Sequence, residues 1–128
     1  MENSDNRTEK RKLGDIGENV ACDFLKKRGF EIKERNYLRK WGEIDIIGLK
    51  DGKLSFFEVK TRLSDGWGKP YEAVNFTKVK RLMRPIQYFL LQNNYKNYKL
   101  SLDVISIELN KNLTIKSLRH YENVRTHQ

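Results

Sequence analysis

The chain has 128 residues, of which 38% are hydrophobic and 34% charged, a composition that suits one globular domain, leaves no room for a second, and excludes a disordered chain. Its formal charge of +9 favours a polyanionic partner through phosphate contacts and counterion release, without choosing between DNA, RNA and anionic lipid. A single cysteine, Cys22, excludes an internal disulfide. No apolar run approaches the ~20 residues of a membrane span, and Met1-Glu2-Asn3-Ser4-Asp5 lacks a signal-peptide pattern, so a cytoplasmic protein is expected.

In chain order, residues 1–11 are polar and predict a flexible N-terminal segment ahead of one domain over 12–120. Leu13, Ile16, Gly17, Val20 and Phe24 recur at helical spacing until Arg28-Gly29, a cationic last turn followed by a glycine stop. Cys22 falls largely off this stripe and carries no histidine motif, which argues against a thiol nucleophile. Phe30 to Leu38 reads as a strand that becomes irregular around Arg35-Asn36-Tyr37.

Gly42–Leu49 and Lys53–Thr61 flank Asp51-Gly52, a two-residue hairpin signal. A loop from Arg62 to Tyr71 leads to a helix expected from about Asn75 to Asn93, with Val79, Leu82, Met83, Ile86, Phe89 and Leu90 as its buried stripe. Pro85 sits off that stripe and predicts a kink near Leu82. Leu100–Leu109 and Leu113–Leu118 form a last strand pair and residues 121–128 a loose tail, and His120 and His127, near the C-terminus, lack zinc-site partners. The order is α-β-β-β-α-β-β, an α/β fold.

The hairpin carries the chemistry. A two-residue turn at Asp51-Gly52 puts Lys50 opposite Lys53, and the same register puts Asp45 opposite Glu58 and Glu43 opposite Lys60. It also matches Ile47 with Phe56, Leu49 with Leu54, Ile46 with Phe57 and Ile44 with Val59. Two facing carboxylates repel unless one is protonated or a cation lies between them, and an Mg²⁺ or Mn²⁺ ion resolves the conflict. Lys60 shares a side with Glu58 and can orient a water or stabilise charge on a phosphate. The plainer alternative is a Glu43–Lys60 cross-strand ion pair. Glu18, on a stripe with Gly14, Ala21 and Leu25, is either a third carboxylate at this centre or a solvent-facing glutamate.

Arg62, Trp67 and Lys69 leave the hairpin just after Lys60 and offer cations and a stacking ring to a nucleic acid, although Trp67 serves equally as a core cover. With Asn75 as N-cap, Lys78 opposes the helix dipole at a position that a nearby phosphate would favour. Lys80, Arg81 and Arg84 read as a solvated helix face.

The chain from about Leu13 to Val124 resembles the YraN family of small bacterial proteins, which is similar to archaeal Holliday junction resolvases in the restriction-endonuclease-like PD-(D/E)XK superfamily. The resemblance rests on Gly14, Gly17-Glu18, Ala21, Arg35-Asn36, Gly42-Glu43-Ile44-Asp45, Phe56-Phe57-Glu58-Val59-Lys60-Thr61-Arg62, Gly68, Pro70, Ala73-Val74, Lys78 and Asp103-Val104. It departs at Ser101 or Leu102, where an arginine is usual, and at Pro85. The resemblance implies a central mixed sheet flanked by helices, Asp45 and Glu58 as metal ligands, Lys60 as catalytic lysine and Glu18 as accessory carboxylate. It further implies a Mg²⁺-dependent endodeoxyribonuclease for which DNA, branched or damaged DNA included, is favoured over RNA, and with which a homodimer is compatible. The alternatives are a non-catalytic DNA- or RNA-binding module on the same fold and a protein-interaction scaffold with incidental charge.

Overall fold

The computed structural model describes residues 3–64 and 76–124, with side chains described over 9–64 and 79–124. Helix α1 (Asn3–Lys27) precedes strands β1 (Glu31–Arg39), β2 (Gly42–Lys50) and β3 (Lys53–Leu63). A 3-10 segment (Phe76–Leu82), helix α2 (Met83–Gln92) and strands β4 (Lys99–Leu109) and β5 (Ile115–Tyr121) follow. The five strands lie in sequence order, antiparallel throughout except for β3 and β4, which are parallel from Lys53↔Lys99 to Leu63↔Leu109. The sheet is therefore mixed, and the parallel pair requires the α2 crossover between its strands. No helix of the described residues is long and apolar enough to cross a membrane.

The sheet is covered on both faces. Ala21, Cys22 and Leu25 of α1 pack on Ile46, Phe57, Ile105 and Ile107, while Val79, Leu82, Ile86 and Phe89 pack on Tyr37, Ile44, Ile47, Phe56 and Val104. Cys22 is thus a core residue, contrary to its expected position off the stripe, and burial pushes its thiol pKa up. Gly17 is where α1 meets the sheet: a Cβ there would lie 2.7 Å from the Cβ of Thr61 on β3.

Three boundaries differ from the sequence expectation. The α1 helix begins at Asn3, so residues 3–11 of the expected N-terminal segment are helical. The expected second helix is split: Phe76–Leu82 winds as 3-10, and the α-helix starts only at Met83. Pro85 then falls in the first turn, where its missing N–H breaks no helical bond, and it is buried rather than off the stripe. At the C-terminus, residues 121–124 are tied down, since β5 includes Tyr121, Asn123 N–H donates to Asp103 at 2.9 Å, and Val124 N–H donates to the Leu102 carbonyl at 2.7 Å.

The hairpin has the expected register, with Lys50↔Lys53, Leu49↔Leu54, Ile47↔Phe56 and Ile46↔Phe57 as partners. Asp51 and Gly52 both have positive φ, at 51° and 75°, as the mirror-image turn of a tight hairpin requires. The ladder then stops. Asp45 and Glu58 are not partners, nor are Glu43 and Lys60, and Ile44 pairs with Tyr37 of β1 and joins the α2-side cluster, whereas Val59 packs on the α1 side. The cause lies in the neighbouring strand. Arg35↔Ile46 and Tyr37↔Ile44 are partners, but Asn36 between them takes a left-handed φ of 52° and does not partner Asp45. Asparagine tolerates that conformation at low cost, and the distortion breaks the period-two alternation of β2 at Asp45.

Candidate active site

The break in β2 frees the Asp45 side chain from the sheet ladder. Its Oδ2 accepts the Val59 N–H at 2.7 Å, filling a place that a backbone carbonyl of β2 would otherwise take. Asp45, Glu18 and Glu43 line one cleft of about 580 Å³ at the junction of α1 with β1 and β2. Burial, followed by the neighbouring charges of Glu58, Glu43 and Glu18, pushes the Asp45 carboxyl up to about 7 despite the hydrogen bond from Val59. Glu43 is raised for the same reasons, burial first and then Glu18 and Glu58.

Glu18 is buried, which removes the solvent-facing alternative. Its Oε1 accepts from Arg35 Nη2 at 3.0 Å and from Asn36 Nδ2 at 2.9 Å, so the left-handed Asn36 both opens the ladder and braces the helix carboxylate. Glu58 is buried as well, but its Oε2 is engaged by Arg81 Nη2 at 2.6 Å and by Lys60 Nζ at 3.3 Å. Lys60 is thus paired within its own strand to Glu58 instead of across to Glu43. Arg81 is exposed, as expected of a solvated face, but its guanidinium also reaches the buried Glu58, a pairing the sequence reading did not give it.

Four acids therefore sense one another, yet among the described residues no three His, Cys, Asp or Glu side chains converge closely enough to chelate an ion as they stand. The donor set nevertheless suits a hard divalent cation: all oxygen, in excess negative charge, and partly desolvated. Of the three expected ligands, Glu18 and Asp45 line the cleft together with Glu43, whereas Glu58 is not among its lining residues.

The proposed nucleic-acid contacts divide. Arg62 turns inward, 3.5 Å from the buried Glu108 on β4, with its Nε buried and without a hydrogen-bond partner. Trp67, Lys69 and the Lys78 side chain lie outside the described residues. A second buried polar cluster was hidden from sequence reasoning. Asp103 accepts from Ser101 Oγ at 2.5 Å and Asn123 N–H at 2.9 Å and is 2.8 Å from His120 Nε2. Burial works against its ionisation, but these bonds hold its carboxyl below the usual range. Ser101 gives Asp103 a neutral donor.

A family model described as the uncharacterised protein family UPF0102 matches residues 17–107. The chain belongs to the UPF0102 family. This is the family that the sequence resemblance named as YraN. A UPF0102 protein of Caldanaerobacter subterraneus subsp. tengcongensis is 37% identical over 118 residues, covering 91% of this chain and 97% of the relative. One of Caldicellulosiruptor saccharolyticus is 44% identical over 101 residues, covering 79% and 86%, and one of Alkaliphilus metalliredigens is 40% identical over 111 residues, covering 87% and 94%. The UPF0102 match contains Glu18, Asn36, Asp45, Glu58, Lys60, Arg81 and Asp103, and ends before His120.

Proposed function

We propose that this UPF0102 protein is a metal-dependent endonuclease that hydrolyses phosphodiester bonds in DNA, branched or damaged DNA included. The observation that carries the reading is Asp45, a carboxyl pushed up to about 7 by burial and by three neighbouring acids in a cleft it shares with Glu18 and Glu43. Such a gathering is unfavourable for folding and is relieved when a cation occupies it.

Asp45, Glu58 and Glu18 would hold Mg²⁺ or Mn²⁺. The ion supplies a water of lowered pKa and neutralises charge on a phosphate. The chain's own residues do the positioning. The Val59 amide anchors Asp45, while Arg35 and Asn36 fix Glu18 from the opposite wall. Lys60 Nζ, partly exposed and adjacent to Glu58, orients the attacking water and steadies charge on the scissile phosphate. The overall charge of +9 draws a polyanion to the protein.

The competing reading is a nucleic-acid-binding module without catalysis. It draws support from Glu58, whose outer oxygen is already engaged by both Arg81 and Lys60. Incubation with junction, flap, single-stranded and plasmid DNA in Mg²⁺ or Mn²⁺ separates the two. Cleavage that disappears in Asp45→Ala, Glu58→Ala and Lys60→Ala is the expected outcome. Cleavage surviving those substitutions removes the mechanism, and salt-dependent binding without cleavage favours the module.

A further inference from the structure

Between Leu38 and Glu43, which both line the acid cleft, the chain turns through Arg39, Lys40 and Trp41. This tip gathers rings and cations. Trp41 lies 5.5 Å from the Tyr88 ring at an interplanar angle of 50°, and its ring is within 6.0 Å of both Lys40 Nζ and the Arg84 guanidinium. The Arg39 guanidinium stacks 4.0 Å from the Tyr37 ring and 5.3 Å from Tyr88, and its Nη1 donates to the Leu38 carbonyl at 2.7 Å. Tyr37 and Tyr88 belong to the core packing, so the platform is anchored from below. Trp41 itself stays 38% exposed, and none of Arg39, Lys40 and Arg84 is given a carboxylate partner by an ion pair among the described residues.

We infer that this tip is a stacking site for an unpaired nucleobase, with Trp41 receiving the base and Arg39, Lys40 and Arg84 receiving the flanking phosphates. The inference rests on the nuclease reading only for what happens next to the site, not for the binding itself. An exposed aromatic ring among cations is the combination that single-stranded nucleic acids use, because every base offers a π-face and every linkage a negative charge. A purely apolar patch would suit a protein partner, and a purely cationic one a paired backbone. The tip has both. Trp41 lies in the turn just before β2 and precedes Asp45 by four residues, at most about 13 Å of chain, a reach of no more than roughly four stacked nucleotides. A base held there would set the reacting phosphate a few nucleotides from the end of a duplex, so the chain would select DNA in which paired and unpaired segments adjoin.

The test is equilibrium binding by fluorescence anisotropy, without divalent cation, to an oligothymidylate of roughly 12 nucleotides and to a blunt duplex. Trp41→Ala is expected to weaken single-strand binding by about tenfold to a hundredfold and duplex binding by less than about twofold, and Trp41→Phe to restore most of the loss. Equal loss on both probes, no loss on either, or no single-strand binding by the native chain overturns the inference. Should Trp41→Ala not fold, Trp67→Phe leaves Trp41 as the sole tryptophan, and quenching of its emission by oligothymidylate is expected; unquenched emission at saturation overturns the site. Trp41-dependent binding by a protein that never cleaves would sink the nuclease reading alone, and Asp45-dependent cleavage indifferent to Trp41 would sink this inference alone.

Discussion

Arg81 Nη2 sits 2.6 Å from Glu58 Oε2, so the buried carboxylate just past the end of the hairpin ladder is neutralised by a guanidinium that remains half in solvent. An arginine in that position competes with any cation for Glu58. Arg81→Ala is expected to tighten Mg²⁺ binding about twofold to fivefold in titration calorimetry without DNA, the equivalent of ~0.4–1 kcal/mol, within the range of a partly exposed ion pair. Weaker Mg²⁺ binding in the variant would mean that Arg81 organises the site instead of competing for it.

Asp45 makes the site sensitive to pH. Its folded pKa is raised to about 7 from the ordinary 3.8, so the proton must leave before an ion can bind. Mg²⁺ affinity should therefore rise about tenfold per pH unit below 7 and level off above it. The sign for stability without metal is opposite: the contribution is fully present below 3.8 and is lost as pH rises through about 7. Thermal melts of the metal-free chain should accordingly favour Asp45→Asn over the native protein at pH 8 and bring the two together toward pH 4. A pH-independent difference would dissociate Asp45 from this behaviour.

Gly17 permits the closest approach of α1 to the sheet. Adding a Cβ would bring it within 2.7 Å of Thr61 Cβ, and Thr61 is β-branched and held in β3, so neither side can yield cheaply. Gly17→Ala should lower stability by about 1–3 kcal/mol in urea melts and, by tilting the next residue, Glu18, away from Arg35 and Asn36, reduce metal affinity as well. A variant as stable as the native chain would indicate that α1 can shift along the sheet.

The element order, the two-sided core and the hairpin register were legible because each follows from hydrophobic period or from the Asp51-Gly52 turn. The ladder stop at Asp45 was not. It depends on Asn36 entering the left-handed region and on a side-chain oxygen replacing a carbonyl, and apolar matching of Ile44 with Val59 pointed the other way. The Arg81–Glu58 pair was missed because a helical wheel assumes 3.6 residues per turn, whereas the segment carrying Arg81 winds nearer to three. The buried contact of Asp103 with His120 arises from the β4–β5 register, in which His120 partners Ile105, and no local pattern announces it.

The Val59 amide has a consequence of its own. Most strand amides in the sheet are tied to neighbouring carbonyls, but this one is tied to the carboxylate whose charge state governs the cleft. Its proton is in effect a built-in probe. An amide resonance or exchange rate at Val59 would register the protonation or occupation of Asp45 directly, while the remainder of β3, locked to β4 along its full length, stays silent.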